Sequence, residues 1–148
     1  LLPITLPEQS VVGREILAAV NAARAVPRSC GERDFGAAAP LVWDDALGTA
    51  ALAHSRDMAD RRHFAHQGSD GSDVATRATR AGYSWKLVGE NIAAGQPTAR
   101  EAVDGWIESP GHCANLMNPA FRELGASYAV DPKSDAGIYW TAMFGVQQ

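Results

Sequence analysis

Hydrophobic positions recur at helical spacing along the first part of the chain. The pattern predicts a first helix from Ser10, as its cap, to about Val26, and a second from Asp44 to about Arg62. The apolar face of the first helix comprises Val12, Ile16, Ala19, Val20 and Ala23, and that of the second comprises Leu47, Ala51, His54 and Met58. Two amphipathic helices are therefore expected before residue 63.

Two further helices are predicted, each with a hydroxyl side chain at its cap. Ser72 caps a short helix over 73–81, which ends before a glycine. Thr98 opens a capping box with Glu101 and begins a helix that runs to about residue 108. One further turn is expected in the HCANLM segment that follows.

The remaining patterned stretches are typical of strands. A glycine-bounded apolar run at 87–94 has no helical face and predicts a buried strand. Runs at 123–131 and 137–146, separated by the turn residues DPKSDAG, predict a hairpin. Helices grouped before a closing hairpin indicate the α+β class, with helices covering an antiparallel sheet.

The composition bounds the size and class of the protein. A chain of 148 residues with 46% hydrophobic and 20% charged residues fits one soluble globular domain. We assign residues 1–10 to an extended N-terminal arm and residues 11–148 to the domain. No apolar run reaches the roughly 18 residues of a membrane-spanning helix.

Net charge argues against nucleic acid as a partner. The chain carries a formal charge of −4, whereas phosphate contact needs basic clusters. The basic pairs Arg61–Arg62 and Arg77/Arg80 are interpreted as solvated helix faces. We expect a monomer whose partner is a small molecule, a lipid or an extracellular protein.

The two cysteines, Cys30 and Cys113, match no metal-binding spacing. Cys30 falls in a predicted loop over 27–40, and both have glycine close by. They either form one disulfide or remain two buried thiols, and the disulfide is favoured. It would indicate an oxidising compartment. The chain opens at Leu1 instead of Met, as expected of a trimmed or processed product; no signal peptide is visible, and its earlier removal is one explanation.

Three residues carry the candidate chemistry: His66 in HFAHQGSDGS, Glu90 in VGENIAAG and His112 in SPGHCANLMNP. Each is expected where a regular element ends, beside Gly, Ser, Pro or Asn. Imidazole and carboxylate groups bind transition metals and move protons near neutral pH. The three residues are therefore predicted to share one polar cleft.

The ordered motifs VNAAR, LVWDDAL, HSRDMA, HFAH, GENIAAG, SPGHCANLM and YWTAMFG resemble the CAP superfamily of cysteine-rich secretory, antigen and pathogenesis-related proteins, and most closely its compact bacterial SCP-like branch. The resemblance covers roughly residues 11–146. It implies a three-layer α-β-α sandwich with a central antiparallel sheet, and a secreted protein, either extracellular or periplasmic. It also implies a cleft lined by two histidines and acidic residues, which match His66, Glu90 and His112.

One family position departs from the pattern. Larger members carry a second glutamate three residues after the tryptophan of the fourth helix, where this chain has Ser109. The adjacent Glu108 is turned by about 100° on a helix and is no substitute. A three-residue constellation, with Ser109 as a further lining residue, is therefore the expectation.

The expected function is binding, with an enzymatic alternative. The cleft is expected to bind a small or lipid-like ligand or an extracellular partner. Zn²⁺ or another divalent metal on His66 and His112 is a possible cofactor, and the alternative function is a metal-assisted extracellular hydrolase. Glu90 either ligates the metal or orients His66 through a hydrogen bond. His54 and Asn91 are assigned structural roles: His54 in the core, and Asn91 in a hydrogen bond to the backbone of a neighbouring loop.

Overall fold

A computed structural model of the chain describes residues 6–148. Five helices and six strands lie in this range: α1 Gln9–Arg24, β1 Arg28–Cys30, β2 Arg33–Phe35, β3 Val42–Trp43, α2 Asp45–Arg61, α3 Val74–Arg80, β4 Trp85–Ala94, α4 Ala99–Glu108, α5 Pro110–Leu116, β5 Glu123–Val130 and β6 Ile138–Gln147. No helix within this range has the length and apolar content that crossing a membrane requires.

The larger sheet has the strand order β3-β5-β6-β4 and lies between two helical layers. Helices α2 and α3 pack on one face, and α1, α4 and α5 pack on the other. The predicted α+β class and α-β-α sandwich are confirmed. The long strands pair antiparallel as expected, and only the two-residue β3 runs parallel to its neighbour β5.

Strand β6 contributes side chains to the hydrophobic clusters on both faces of the sheet. Trp140, Ala142 and Phe144 join the cluster under α1, α4 and α5, whereas Tyr139 and Met143 face the α2 side. Successive side chains of a strand point to opposite faces, so a fully apolar strand is expected where both faces are covered. The strand is therefore buried along nearly its whole length.

Helix α2 lies directly against β5 because both elements present glycine at their contact. A Cβ atom added to Gly125 would lie 2.0 Å from the backbone nitrogen of Gly48. This distance leaves no room for any side chain. The close approach sets the height of α2, and of His54 on it, above the sheet.

Two helix caps are as predicted and two predictions are wrong. Asp44 caps α2 and Thr98 caps α4 through side-chain hydrogen bonds. Helix α1, however, begins one residue before Ser10, without a side-chain cap bond. Asp73 caps α3 in place of Ser72, because its carboxylate reaches a free amide of the first turn. The amide of Ser72 is instead held by the side chain of Asp70.

Three predicted irregular segments also differ. The loop predicted over 27–40 contains the hairpin β1–β2, whose tight turn uses Gly31 at a φ of 63°. The single turn predicted after residue 111 is the seven-residue helix α5, which begins at Pro110. Of the predicted arm 1–10, residues 9–10 belong to α1, and residues 1–5 lie outside the described residues.

Candidate functional site

An open cavity of about 470 Å³ lies beside β4, an edge strand of the sheet. His66 reaches it from the segment after α2, Glu90 from β4, His112 from α5, and Ser109 from the residue that joins α4 to α5. The structure thus brings the four sequence-predicted cleft residues to one cavity, which we call the histidine cleft. Its other lining residues are Arg33, Asn91, Gly111, Ala114, Asn115 and Asn118.

Glu90 is buried in the middle of β4, so the expectation that it ends an element is wrong. Its Oε1 atom lies 3.0 Å from Nδ1 of His66, and its Oε2 atom accepts a hydrogen bond of 2.9 Å from Arg77. Oε1 is also 3.7 Å from Nε2 of His54. Both oxygens are therefore engaged, and the distances match an orienting role for Glu90.

Arg77 is the residue of this site that sequence reasoning missed. The expectation of a solvated helix face is wrong for Arg77, which is 6% exposed, and holds for Arg80, which is exposed and pairs with Asp70. Besides Glu90, Arg77 donates to the backbone oxygens of His66 and Ser72. A carboxylate buried in a strand needs a buried cation, so a cationic partner of Glu90 could be expected, but not which residue supplies it.

His66 is held by one ring nitrogen and exposed at the rest of its ring. Its side chain is 55% exposed, with Nδ1 bound to Glu90. The hydrogen bond to that carboxylate raises the pKa of His66 above its ordinary value, although burial acts in the opposite direction. His63 is half-buried, contacts the carbonyl of Gln67 through Nε2, and does not line the cleft.

His112 lines the same cavity as His66, and its pKa is shifted in the opposite direction. It belongs to α5, so the expectation of a turn position is wrong. Its Nδ1 atom lies 2.9 Å from the hydroxyl oxygen of Ser109. Burial lowers the pKa of His112, and the charge of His66 lowers it further. The charge of His66 therefore acts on His112. In both rings Nδ1 makes the side-chain contact, and Nε2 is the second ring nitrogen.

A disulfide between Cys30 and Cys113 fixes the segment that carries His112, which confirms the favoured pairing. The Cα atoms are 5.4 Å apart, and the bond ties β1 to α5. The cysteines are 83 residues apart in sequence, so the cross-link is worth about 4 kcal/mol in the chain-entropy account.

Asn91 secures the same helix from the strand. Alternation along β4 directs Glu90 toward α3 and Asn91 toward α5. The amide nitrogen of Asn91 donates to the carbonyl of His112 at 3.1 Å, and its amide oxygen accepts from Asn115. The backbone partner lies in a helix and not in the loop that was expected.

His54 is fully buried beneath Glu90. Its Nε2 atom lies 2.8 Å from the carbonyl of Ala65, and burial lowers its pKa. Asp57, three residues after His54, accepts hydrogen bonds from Ser69. His54 therefore contributes to the core and to the surroundings of Glu90.

The donor geometry limits how a metal could be held. Within residues 6–148, no three His, Cys, Asp or Glu side chains stand close enough to bind one ion together. Glu90 is engaged with Arg77 and His66, so it does not fit as a third ligand. His66 and His112 line the same cavity, so an ion bound there would depend on these two imidazoles.

Comparison with known sequences identifies bacterial relatives. Protein YkwD of Bacillus subtilis (strain 168) is 37% identical over 113 residues, which cover 76% of this chain and 42% of YkwD. Membrane protein YlbC of the same organism is 32% identical over 106 residues, which cover 72% of this chain and 29% of YlbC. The chain thus spans less than half the length of these relatives.

Solved structures share the fold. An extracellular protein of Bacillus anthracis str. Ames with an SCP domain superposes with a TM-score of 0.79 at 25% identity, covering 99% of this chain and 45% of that one. An outer surface protein of Borrelia burgdorferi has a TM-score of 0.70 at 19% identity, covering 94% of this chain and 92% of that one. The profile of the cysteine-rich secretory protein family matches residues 17–144. The chain therefore belongs to this family, the CAP superfamily, as a bacterial SCP-like protein.

Proposed function

We propose that the chain is an extracellular binding module whose histidine cleft holds the polar group of a small or lipid-like ligand. The observation that carries the proposal is that His66 and His112, each tied through Nδ1, line one open cavity. The disulfide suits an oxidising compartment. The relative from B. anthracis is described as extracellular, which supports the same location.

The charges of the cleft favour a ligand group rich in hydrogen-bond acceptors. Arg33 lines the cavity, and His66 gains a proton more readily than an ordinary histidine. The negative charge of Glu90 is offset by its ion pair with Arg77. Positive groups therefore line the cavity, as a carboxylate or phosphate group requires.

The proposal includes a divalent metal only as an ion held by the two histidines of the cleft. Zn²⁺ would be held by Nε2 of His66 and His112, with ligand or solvent at the other positions, and when bound it would attract an acceptor group of the ligand. The hydrolase alternative needs a third protein ligand that Glu90 does not supply. We therefore favour binding and propose no hydrolytic step.

The test is NMR of the ¹⁵N-labelled imidazoles during titration with sodium phosphate and, separately, with zinc chloride. We expect the His66 and His112 signals to shift with one common midpoint, because the two rings face the same ligand. His63 is the internal control outside the cleft. His112→Ala should weaken binding of both probes at least about tenfold, whereas His63→Ala should not. Unchanged His66 and His112 signals with both probes would contradict the proposal.

A further inference from the structure

Among the described residues that line the histidine cleft, Arg33 is the only arginine or lysine. Its side chain is exposed, and no carboxylate within residues 6–148 forms an ion pair with it. Arg77 differs, because its charge is already compensated by the ion pair with Glu90. An arginine stays charged at every physiological pH. Arg33 therefore gives the cavity a permanent positive charge that the described residues leave uncompensated.

The β1–β2 hairpin directs the side chain of Arg33 toward α5. Arg33 lies directly across the antiparallel pair from Cys30, so the two side chains project from the same face. The disulfide of Cys30 joins that face to α5, the helix that carries His112. Asp34, the next residue, projects from the other face and accepts a hydrogen bond from Ser29. The hairpin thus turns a cation toward the cleft and the neighbouring carboxylate away from it.

An aromatic contact positions the guanidinium group of Arg33 before any ligand binds. Its Cζ atom lies 4.9 Å from the centroid of the Phe35 ring, within the range of a cation–π interaction. Phe35 in turn packs against the hydrophobic cluster under α1, α4 and α5. Because the ring restricts the side chain of Arg33, less conformational entropy remains to be lost when a ligand binds.

The chemistry of a guanidinium group favours an oxyanion over a neutral acceptor. Its N–H donors form a planar fork that matches two oxygens of one carboxylate or phosphate group. Hydrogen bonds to such a charged acceptor are roughly twice as strong as those between neutral groups. A neutral amide of the same shape offers one acceptor oxygen and no charge, and an ammonium group would be repelled. Arg33 therefore discriminates between ligands by their charge.

We propose that Arg33 is the specificity-determining residue of the histidine cleft, and that its guanidinium group binds a carboxylate or phosphate group of the ligand. This inference rests on the proposed function, because it concerns the same cavity. It adds the residue through which the cleft selects an oxyanion over a neutral group of the same shape.

The experiment is NMR of the ¹⁵N-labelled whole chain, which follows the Nε–H signal of Arg33 together with the imidazole signals of His66 and His112. The probes are sodium phosphate, sodium acetate and acetamide, the neutral analogue of acetate. We expect the Arg33 signal to shift saturably with at least one oxyanion, with the same midpoint as an imidazole signal. Acetamide should bind at least about tenfold more weakly than that oxyanion. The oxyanion that binds more tightly identifies which of the two groups the cleft prefers.

Arg33→Gln should weaken oxyanion binding about tenfold or more and remove the preference over acetamide. Arg56→Gln is the matched control: it changes the net charge equally, at an exposed position of α2 outside the cleft, and should bind like wild type. Equal oxyanion binding by Arg33→Gln and wild type, or an Arg33 signal that neither oxyanion shifts, would overturn the proposal. If the imidazole signals of wild type still respond to phosphate or zinc chloride, only the role of Arg33 fails. If they respond to neither, the proposed function fails with it.

Discussion

Glu90 is the residue on which the histidine cleft depends. A buried carboxylate is costly unless charged or hydrogen-bonding partners surround it, and Glu90 has Arg77 on one oxygen and His66 on the other. The same contacts that stabilise the charge also fix the ring of His66. The orienting role and the structural role of Glu90 are therefore inseparable in the wild-type chain.

Replacing the charge of Glu90 while keeping its shape tests this role. Glu90→Gln should lower the pKa of His66 toward its ordinary value, because the imidazolium loses the carboxylate that favours it. Stability should fall by about 1–3 kcal/mol, since Arg77 keeps a neutral acceptor only. NMR titration and denaturant unfolding measure the two effects. Glu108→Gln, at an exposed position of α4, is the matched control, and an unmoved His66 pKa in Glu90→Gln would refute the assignment.

Asn91 holds α5 against the strand from the other face. Asn91→Ala should lower the free energy of unfolding by about 1–3 kcal/mol, because the carbonyl of His112 and the amide of Asn115 lose their partner. Urea unfolding of this variant beside Gln67→Ala, an exposed amide, separates the bond from a general effect. Equal stability of the two variants would count against the structural role.

At the scale of elements, the contact between α2 and β5 depends on the absence of a side chain. Gly125→Ala should destabilise the fold by about 1–3 kcal/mol or more, because its Cβ would meet backbone of Gly48, which cannot move aside locally. Gly105→Ala in α4 is the matched control: its Cβ has ordinary contacts only, so it should stabilise by about 0.5–1 kcal/mol. Thermal unfolding compares the two, and a neutral Gly125→Ala would show that α2 is free to shift.

The elements that the sequence pattern predicts well are those with enough length to show a period. Helices α1, α2 and α4 and strands β4, β5 and β6 all appear near their predicted positions. Strands β1, β2 and β3 have two or three residues each, too few for an alternation of apolar and polar residues to be recognised. Their formation depends on tertiary partners, such as the pairing of Val42 with Glu123, which a local pattern does not contain.

At the scale of the whole molecule, the cleft is assembled from segments far apart in sequence. The candidate residues His66, Glu90, His112 and Ser109 could be named in advance from local motifs and from the family resemblance. The part played by Arg77 could not, because its burial depends on α3 packing beside β4, a contact between elements. Periodicity describes which face of an element is apolar, but not which charge the opposite element presents.

Zinc binding, if the two imidazoles hold the ion, should weaken as pH falls. The ligating nitrogens must be unprotonated, and the raised pKa of His66 makes protons compete from a higher pH than at an ordinary histidine. Because the pKa of His112 is lowered, this residue becomes protonated only at a lower pH than an ordinary histidine. Calorimetry should give tighter binding at about pH 7.5 than at about pH 5.5. His112→Ala should remove most of the affinity at both, and equal affinity in wild type and this variant would remove the metal from the proposal.

His66 and His112 line one cleft, and their electrostatic coupling tests this arrangement without any ligand. The charge of His66 depresses the pKa of His112, so His66→Ala should raise the pKa of His112. That pKa should stay below the ordinary value, because burial, the larger cause, is retained. The measurement is an NMR titration of His112 in wild type, His66→Ala and the control His63→Ala. A rise in His66→Ala alone is the predicted result, and an unchanged pKa of His112 in that variant would contradict the shared cleft.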